Sequence, residues 1–466
     1  MSAADLARRL VVGLGGPVPS AEERAWLALH RPAGVILFSR NCIEYSQLSK
    51  LCQDLHELCP GLEIMADHEG GPVSQLAAAV GRPPAAWTLG VLDDAALTAD
   101  VHAETARRLA AVGVDRVLAP VADVLVAPRN PVIGSRAFGD DPGRVARQVV
   151  AAVTGLVDGG VRVCLKHWPG HGGSEADTHE TTAAAGAGAL AAPFEAGLNA
   201  GADAVMVGHV GVGETGLPAT LDGGHLAEAR ARLGAGGARP LLFADDVTMG
   251  ALRPALAAQG VVVPGAPRGL LEPTVLPLTW FEALADAGCD RFLVRGLPLA
   301  AWPVAGETAP PATRRVAPSG RSAALPEAPA WARVRERAWR TSGAGFGDRG
   351  ADLLWWDATV GDRWQVAGGD RGTTRELLGD LLTARFRRVR MWGDATAPAG
   401  AATRLLVCSH RPLDPSGRPD PGLAREGVAL ALGHPSLPAS LRSYLPAGWR
   451  VGHLADIAPE DLFRDP

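Results

Sequence analysis

One segment of the chain combines residue types and spacing suited to acid–base chemistry. It runs Lys166-His167-Trp168-Pro169-Gly170-His171-Gly172, continues for four residues, and closes on Asp177-Thr178-His179. A strand-like apolar run ends in the Lys-His pair, and the proline and glycines that follow permit sharp, unusual backbone angles. The loop then presents an aspartate two residues before a histidine. If the two meet, the carboxylate holds one ring nitrogen and fixes the tautomer, leaving the other nitrogen for proton transfer. On chemistry alone two other readings stay open. One is a solvated loop whose histidines bind nothing. The other is a metal site, although histidines spaced by four and eight with no cysteine match no standard zinc pattern.

Further ionisable residues follow short apolar runs elsewhere. Asp67, His68 and Glu69 come after EIMA (63–66), and Asp123 lies just beyond RVLAP (116–120). Lys166 and His167 close RVCLK (162–166), His209 follows AVMVG (204–208), and Asp245 and Asp246 follow LLFA (241–244). With VVGLG (11–15), GVILF (34–38) and RFLV (291–294) these make eight strand candidates separated by turns and helix-like stretches such as 97–113. Apolar runs buried on both faces and joined by helices point to parallel strands. Eight such units in succession imply a (β/α)8 TIM-type barrel, whose active site lies at the C-terminal ends of the strands. The ionisable residues gather at those ends. GLGG (13–16) lacks dinucleotide-fingerprint spacing and reads as a strand-end turn.

The barrel is expected over 1–296. Residues 297–332 are rich in Pro and Ala and lack periodicity, which marks a linker. Residues 333–466 resume an α/β pattern, with apolar runs at 351–356, 387–392, 404–409 and 427–432 and a helix-like stretch at 373–386. A smaller three-layer α/β domain is expected there, with Trp355 and Trp356 in its core. The Pro- and Gly-rich stretch 251–279 reads as an inserted loop that could hide a helix.

Composition narrows the function classes. The chain has 466 residues, 47% hydrophobic and 20% charged. That is enough for a large core. Its formal net charge is −5 with no basic block, which argues against a nucleic-acid partner. No apolar run is long enough for a membrane span, and the start of the chain does not read as a signal peptide. The cysteines at 42, 52, 59, 164, 289 and 408 are scattered. They read as reduced core thiols of a cytoplasmic protein.

The loop segment resembles the signature of glycoside hydrolase family 3, in its bacterial β-N-acetylglucosaminidase branch: K-H-(aromatic)-P-G-H-G-x4-D-(S/T)-H. Every position fits. The resemblance continues through 32–41, 66–76, 113–124, 130–142, 201–210, 241–252 and 287–294 in the family's order, covering roughly 1–295. It implies a retaining exo-β-N-acetylglucosaminidase acting on carbohydrate, with cell-wall fragments as usual substrates and no cofactor or metal. By position, Asp245 corresponds to the nucleophile, His179 to the general acid/base and Asp177 to its orienting partner. Lys166, His167, Asp67 and Arg136 match positions that hydrogen-bond sugar hydroxyls. His209 lies at the mouth as a candidate pocket residue, and Trp168 is the loop aromatic best placed to touch ligand. Asp246 is the competing nucleophile, but neighbouring strand-end residues point opposite ways and the family register favours Asp245.

Some positions depart from the family. Its D-Q-E-G-G-R-V-x-R run reads Asp67-His68-Glu69-Gly70-Gly71-Pro72-Val73-Ser74-Gln75 here, and a serine before the nucleophile is Ala244. Both arginines are absent. Asp67 and Glu69 then lose cationic neighbours unless Arg136 or Lys166 serves them. Two alternatives follow: phosphorolysis or action on a different sugar, and a non-catalytic sugar-binding protein. The latter would be marked by loss of Asp245, His179 or Asp177, and all three are present.

Overall fold

The computed structural model describes the chain to residue 298 apart from 128–129, 131, 174–190, 214–215, 236, 238 and 262–275; beyond that it describes 302, 325, 328–341 and five C-terminal strands. Eight strands close into a parallel barrel: β1 (Leu10–Gly13), β2 (Gly34–Leu37), β3 (Glu63–Ala66), β4 (Arg116–Val117), β5 (Arg162–Trp168), β6 (Ala204–Val207), β7 (Leu241–Ala244) and β8 (Arg291–Val294). Each pairs with its sequence neighbours, and β1 pairs with β8 to complete the ring. All eight expected runs are strands. β4 is shorter than its run, ending at Val117, while β5 continues two residues past Lys166 through a register shift between Lys166 and Trp168.

Strand geometry decides which side chains enter the barrel, because successive residues face opposite sides. Val11, Ile36, Met65, Leu118, Cys164, Ala204, Met206, Phe243 and Leu293 pack on one another as the barrel interior. Their neighbours Val12, Val35, Ile64, Val117, Val163, Val205, Leu242 and Phe292 belong to the outer core beneath the helices. The floor is closed by charge: Arg116, fully buried, donates from Nε to Glu63 at 3.1 Å and from Nη2 to Asp203 at 3.1 Å. Arg162 Nε also reaches Asp203, at 2.8 Å.

Outside, α1 (Ala95–Ala111) and α2 (Pro142–Asp158) start on aspartate caps, Asp94 and Asp141, whose side chains accept from Leu97 N and Arg144 N. Such caps satisfy backbone donors that the first helical turn leaves open. The two helices approach so closely at Gly155 that a Cβ there would lie 2.2 Å from Ala99 O. Within the expected loop 251–279 the structure places one helix, Leu252–Ala258, and the start of another, Leu278–Ala287.

Leu297, Trp302, Ala328, Ala330 and Trp331 of the stretch 297–332 are buried. The Trp26 indole donates to Trp302 O at 2.8 Å, and the Trp302 indole donates to Ala3 O at 2.8 Å. A helix, α3 (Pro329–Thr341), lies along α1, with Trp331 buried and Arg108 stacked 4.7 Å above its ring. The C-terminal strands are β9 (Asp352–Asp357), β10 (Arg388–Met391), β11 (Ala402–Ser409), β12 (Leu423–Gly433) and β13 (Gly448–Leu454). They form one parallel sheet in the order β10-β9-β11-β12-β13. Four of the five coincide with the expected runs, and β13 is additional. The helix-like stretch 373–386 lies outside the described residues. Cys42, Cys52, Cys59, Cys164 and Cys289 are buried free thiols.

Candidate active site

The ionisable residues gather at the C-terminal rim of the barrel, and strand parity sorts them. Successive residues alternate sides. Lys166 shares the phase of Cys164, and Asp67, Asp245 and Arg295 continue the phase of Met65, Phe243 and Leu293; all four follow interior-facing residues. Asp246 and His209 fall in the opposite phase.

A buried charge network lies between strands three and five. Lys166, 2% exposed, donates from Nζ to Asp67 Oδ1 at 2.6 Å and ion-pairs with Glu69. Arg136 forms a fork on Glu69, Nε to Oε2 at 2.8 Å and Nη2 to Oε1 at 2.9 Å. Two parallel charge-assisted bonds of this kind fix geometry as well as energy. Lys166 and Arg136 thus serve the two carboxylates that the absent family arginines leave behind. Burial pushes the Glu69 carboxyl up, but Arg136 and Lys166 outweigh it and bring its pKa down to about 2. Opposite charges at contact favour the ionised form strongly enough to do this. Burial likewise pulls the Lys166 ammonium down, and Asp67 and Glu69 reverse this, leaving its pKa raised.

Arg136 Nη2 also reaches His167 Nε2 at 3.3 Å. A guanidinium only donates, so Nε2 accepts and the ring proton sits on Nδ1, which donates to Asp123 Oδ2 at 2.7 Å. Asp123 is buried; it accepts the His167 N–H at 3.1 Å and the His171 N–H at 2.7 Å. Burial pushes its carboxyl up, while His167 and these bonds hold it below the ordinary range. Asp123 therefore shapes the start of the Gly-rich loop. Asp177 and His179 lie outside the described residues.

At strand seven the paired aspartates part. The Asp245 backbone N–H donates to Val207 O at 3.1 Å, and Asp245 Oδ1 accepts the Asp246 N–H at 2.7 Å. Asp246 is turned away and occupied. Its Oδ1 accepts Thr248 N at 3.0 Å and Thr248 Oγ1 at 2.7 Å, and its carboxylate ion-pairs with Arg295. His209 is fully buried, with Nδ1 2.9 Å from Thr220 Oγ1 and Nε2 3.0 Å from Asp246 O. Its described contacts are with the Thr220 hydroxyl and the Asp246 carbonyl. Trp168, the aromatic of the signature loop, is 4% exposed, edge-on to Phe194 at 5.4 Å, and its indole donates to His225 Nε2 at 3.1 Å.

Two contributors escape the sequence reading as site residues: Arg295, which follows β8, and Arg40, whose Nη2 donates to Arg295 O at 2.6 Å. Arg295 stands at a strand end, so the same strand-end criterion finds it. Among the described residues no group of His, Cys, Asp or Glu is arranged to hold a metal ion.

Comparison with known proteins agrees with this geometry. Residues 7–263 match the glycosyl hydrolase family 3 N-terminal domain. A β-hexosaminidase from Xylella fastidiosa (strain M23) is 36% identical over 299 residues, covering 61% of this chain and 82% of that protein. One from Xanthomonas campestris pv. campestris (strain B100) is 34% identical over 298 residues, covering 61% and 83%. Among solved structures, native NagZ from Neisseria gonorrhoeae aligns at 29% identity and TM-score 0.53, over 63% of this chain and 82% of that one. A family 3 β-N-acetylglucosaminidase from Paenibacillus sp. str. FPU-7 shares the fold at TM-score 0.76 and 22% identity, over 99% and 95%. The family match spans more than half of the sequence and holds the barrel rim that carries the charged network, and on that ground the chain belongs to glycoside hydrolase family 3.

Proposed function

We propose that the chain is a retaining exo-β-N-acetylglucosaminidase that removes terminal β-linked N-acetylglucosamine, with cell-wall fragments in the cytoplasm as its substrates. The observation that carries this reading is the division of labour at strand seven. Asp245 continues the barrel-facing phase, while Asp246 is held by Thr248 and Arg295. The β-hexosaminidase names of the relatives in Xylella and Xanthomonas support the sugar.

The reaction divides into two displacements. Asp245 attacks the anomeric carbon, the glycosidic C–O bond breaks, and His179 gives its proton to the leaving oxygen. Water then attacks the glycosyl-aspartate, His179 takes the water's proton, and Asp245 leaves as a carboxylate. Asp177 orients the imidazole and stabilises its charged form. Asp67, Lys166, Arg136 and His167 form the sugar-holding wall, and the ion pairs of Lys166 with Asp67 and Glu69 and of Arg136 with Glu69 keep that wall preorganised before substrate arrives.

The deciding assay compares chromogenic β-GlcNAc, β-glucoside and β-xyloside substrates side by side, with and without phosphate. GlcNAc should be released fastest, as the free sugar, at a rate indifferent to phosphate. A faster glucoside or xyloside, or a sugar phosphate as product, overturns the assignment. Binding without turnover of any of the three would make this a sugar-binding protein.

A further inference from the structure

Asp245 needs more than its place on strand seven, because a strand-end carboxylate can rotate. In this chain the Asp246 N–H holds Asp245 Oδ1 at 2.7 Å. The orientation of that N–H depends on the backbone on either side of Asp246, which is fixed from several sides. His209 Nε2 lies 3.0 Å from its carbonyl, and Thr248 donates twice to its Oδ1. Val247 N–H donates to Leu293 O at 3.0 Å, tying the turn to strand eight. Arg295, the next barrel-facing residue after Leu293, closes on the Asp246 carboxylate.

We propose that Arg295 is a positioning residue for the nucleophile: by clamping the buried Asp246 carboxylate, it keeps the Asp246 N–H on Asp245 and places a fixed positive charge beside the strand-seven acidic pair. The clamp is itself anchored. Arg40 Nη2 donates to Arg295 O at 2.6 Å, and Gly13 lets that carbonyl come so close that a Cβ there would meet it at 2.1 Å. The guanidinium responds to the whole acidic rim. Asp246 raises its pKa most, against burial, with Asp245 and Asp67 adding to the effect. Asp245 is a carboxylate before attack and again after the glycosyl ester is hydrolysed, so a fixed positive charge beside it matches both states. Neither absent family arginine is replaced by Arg295 in sequence, since it comes from the opposite end of the barrel chain.

This inference rests on Asp245 being the nucleophile, and the experiment separates the two. The full chain is compared with Arg295→Gln, Arg295→Lys and Asp245→Asn. The readouts are kcat/KM on an activated aryl β-GlcNAc glycoside, the inhibition constant of free N-acetylglucosamine, and the melting temperature. Arg295→Gln should lose about 10- to 100-fold in kcat/KM, the scale expected when a reacting group is misplaced by a fraction of an ångström. Its inhibition constant should stay within about twofold, because positioning acts on the reacting group and not on ground-state binding. Arg295→Lys should recover most of the loss, since it returns the charge without the planar fork. If Arg295→Gln does not fold, Arg295→Lys decides, with an expected loss of about 3- to 10-fold at an unchanged inhibition constant. Full activity in the folded variants, or an inhibition constant rising in step with the loss, overturns the proposal. Turnover retained by Asp245→Asn would instead overturn the nucleophile assignment.

Discussion

Replacing Glu69 with glutamine tests whether the buried network holds the sugar-binding wall together. Glu69 is 4% exposed at its side chain and faces Arg136 at 2.8 and 2.9 Å and Lys166 on its inner oxygen. The amide keeps one acceptor oxygen, but its NH2 group must face a cation that can only donate. Breaking a buried ion pair from one side costs about 3–5 kcal/mol, because the partner charge stays buried and unpaired. The lowered pKa of Glu69 expresses the same interactions in another form. Its pKa falls from 4.5 to about 2. At roughly 1.4 kcal/mol for each unit, that corresponds to about 3 kcal/mol. The sign follows from the depressed pKa: this stabilisation is complete above about pH 4.5 and fades as the pH falls toward 2. Denaturant unfolding of wild type and Glu69→Gln at pH 7 should therefore differ by about 3 kcal/mol, a gap that narrows steadily as the pH drops below the ordinary glutamate value. KM for a GlcNAc glycoside should rise in the variant, as Lys166 and Arg136 lose their common anchor. A gap under about 1 kcal/mol at pH 7, the scale of an exposed pair, or one that does not change with pH, would refute the reasoning.

Two further outcomes are expected. Removing the His179 side chain should slow substrates with poor leaving groups by about 10²–10⁴-fold and spare activated phenolates in the first step, with Asp177→Asn milder in both; equal losses for good and poor leaving groups would count against His179 as the acid. Pro72→Arg with Gln75→Arg should lower KM for GlcNAc glycosides, at a cost of about 1 kcal/mol in stability for the hydrogen bond that is lost. That bond is the one Gln75 Oε1 accepts from the Ser39 N–H at 3.0 Å. An unchanged or higher KM, with another sugar preferred by the wild type, would mean that the site has been rebuilt for a different glycan.

The barrel was legible because its strands are short apolar runs with one strong periodicity, and because ionisable residues follow them at the catalytic rim. Parity also separates Asp245 from Asp246, since the interior packing of Phe243 sets the phase. What resisted reading depends on contacts distant in sequence. The sequence names Arg136 and Lys166 as the cations left to serve Glu69, but not that Arg136 forks on it while Lys166 divides between it and Asp67. His209 stands at a strand end like the other site residues, yet it lies in the outward phase and contacts Thr220 and Asp246. Trp168 belongs to the signature loop, but the extension of β5 carries it into the core against Phe194. Strand β13 gives no strand signal in the sequence, because Gly448 and Gly452 and the charged or polar Arg450 and His453 interrupt any apolar run.

Identification of the covalent nucleophile tests the central claim most directly. Wild type is incubated with a slow fluorosugar substrate that keeps the 2-acetamido group, then digested and sequenced by mass spectrometry. The account predicts a glycosyl label on Asp245, with Asp246→Ala still labelled at that position and Asp245→Ala unlabelled and inactive. A label on Asp246, or on any glutamate, would contradict it.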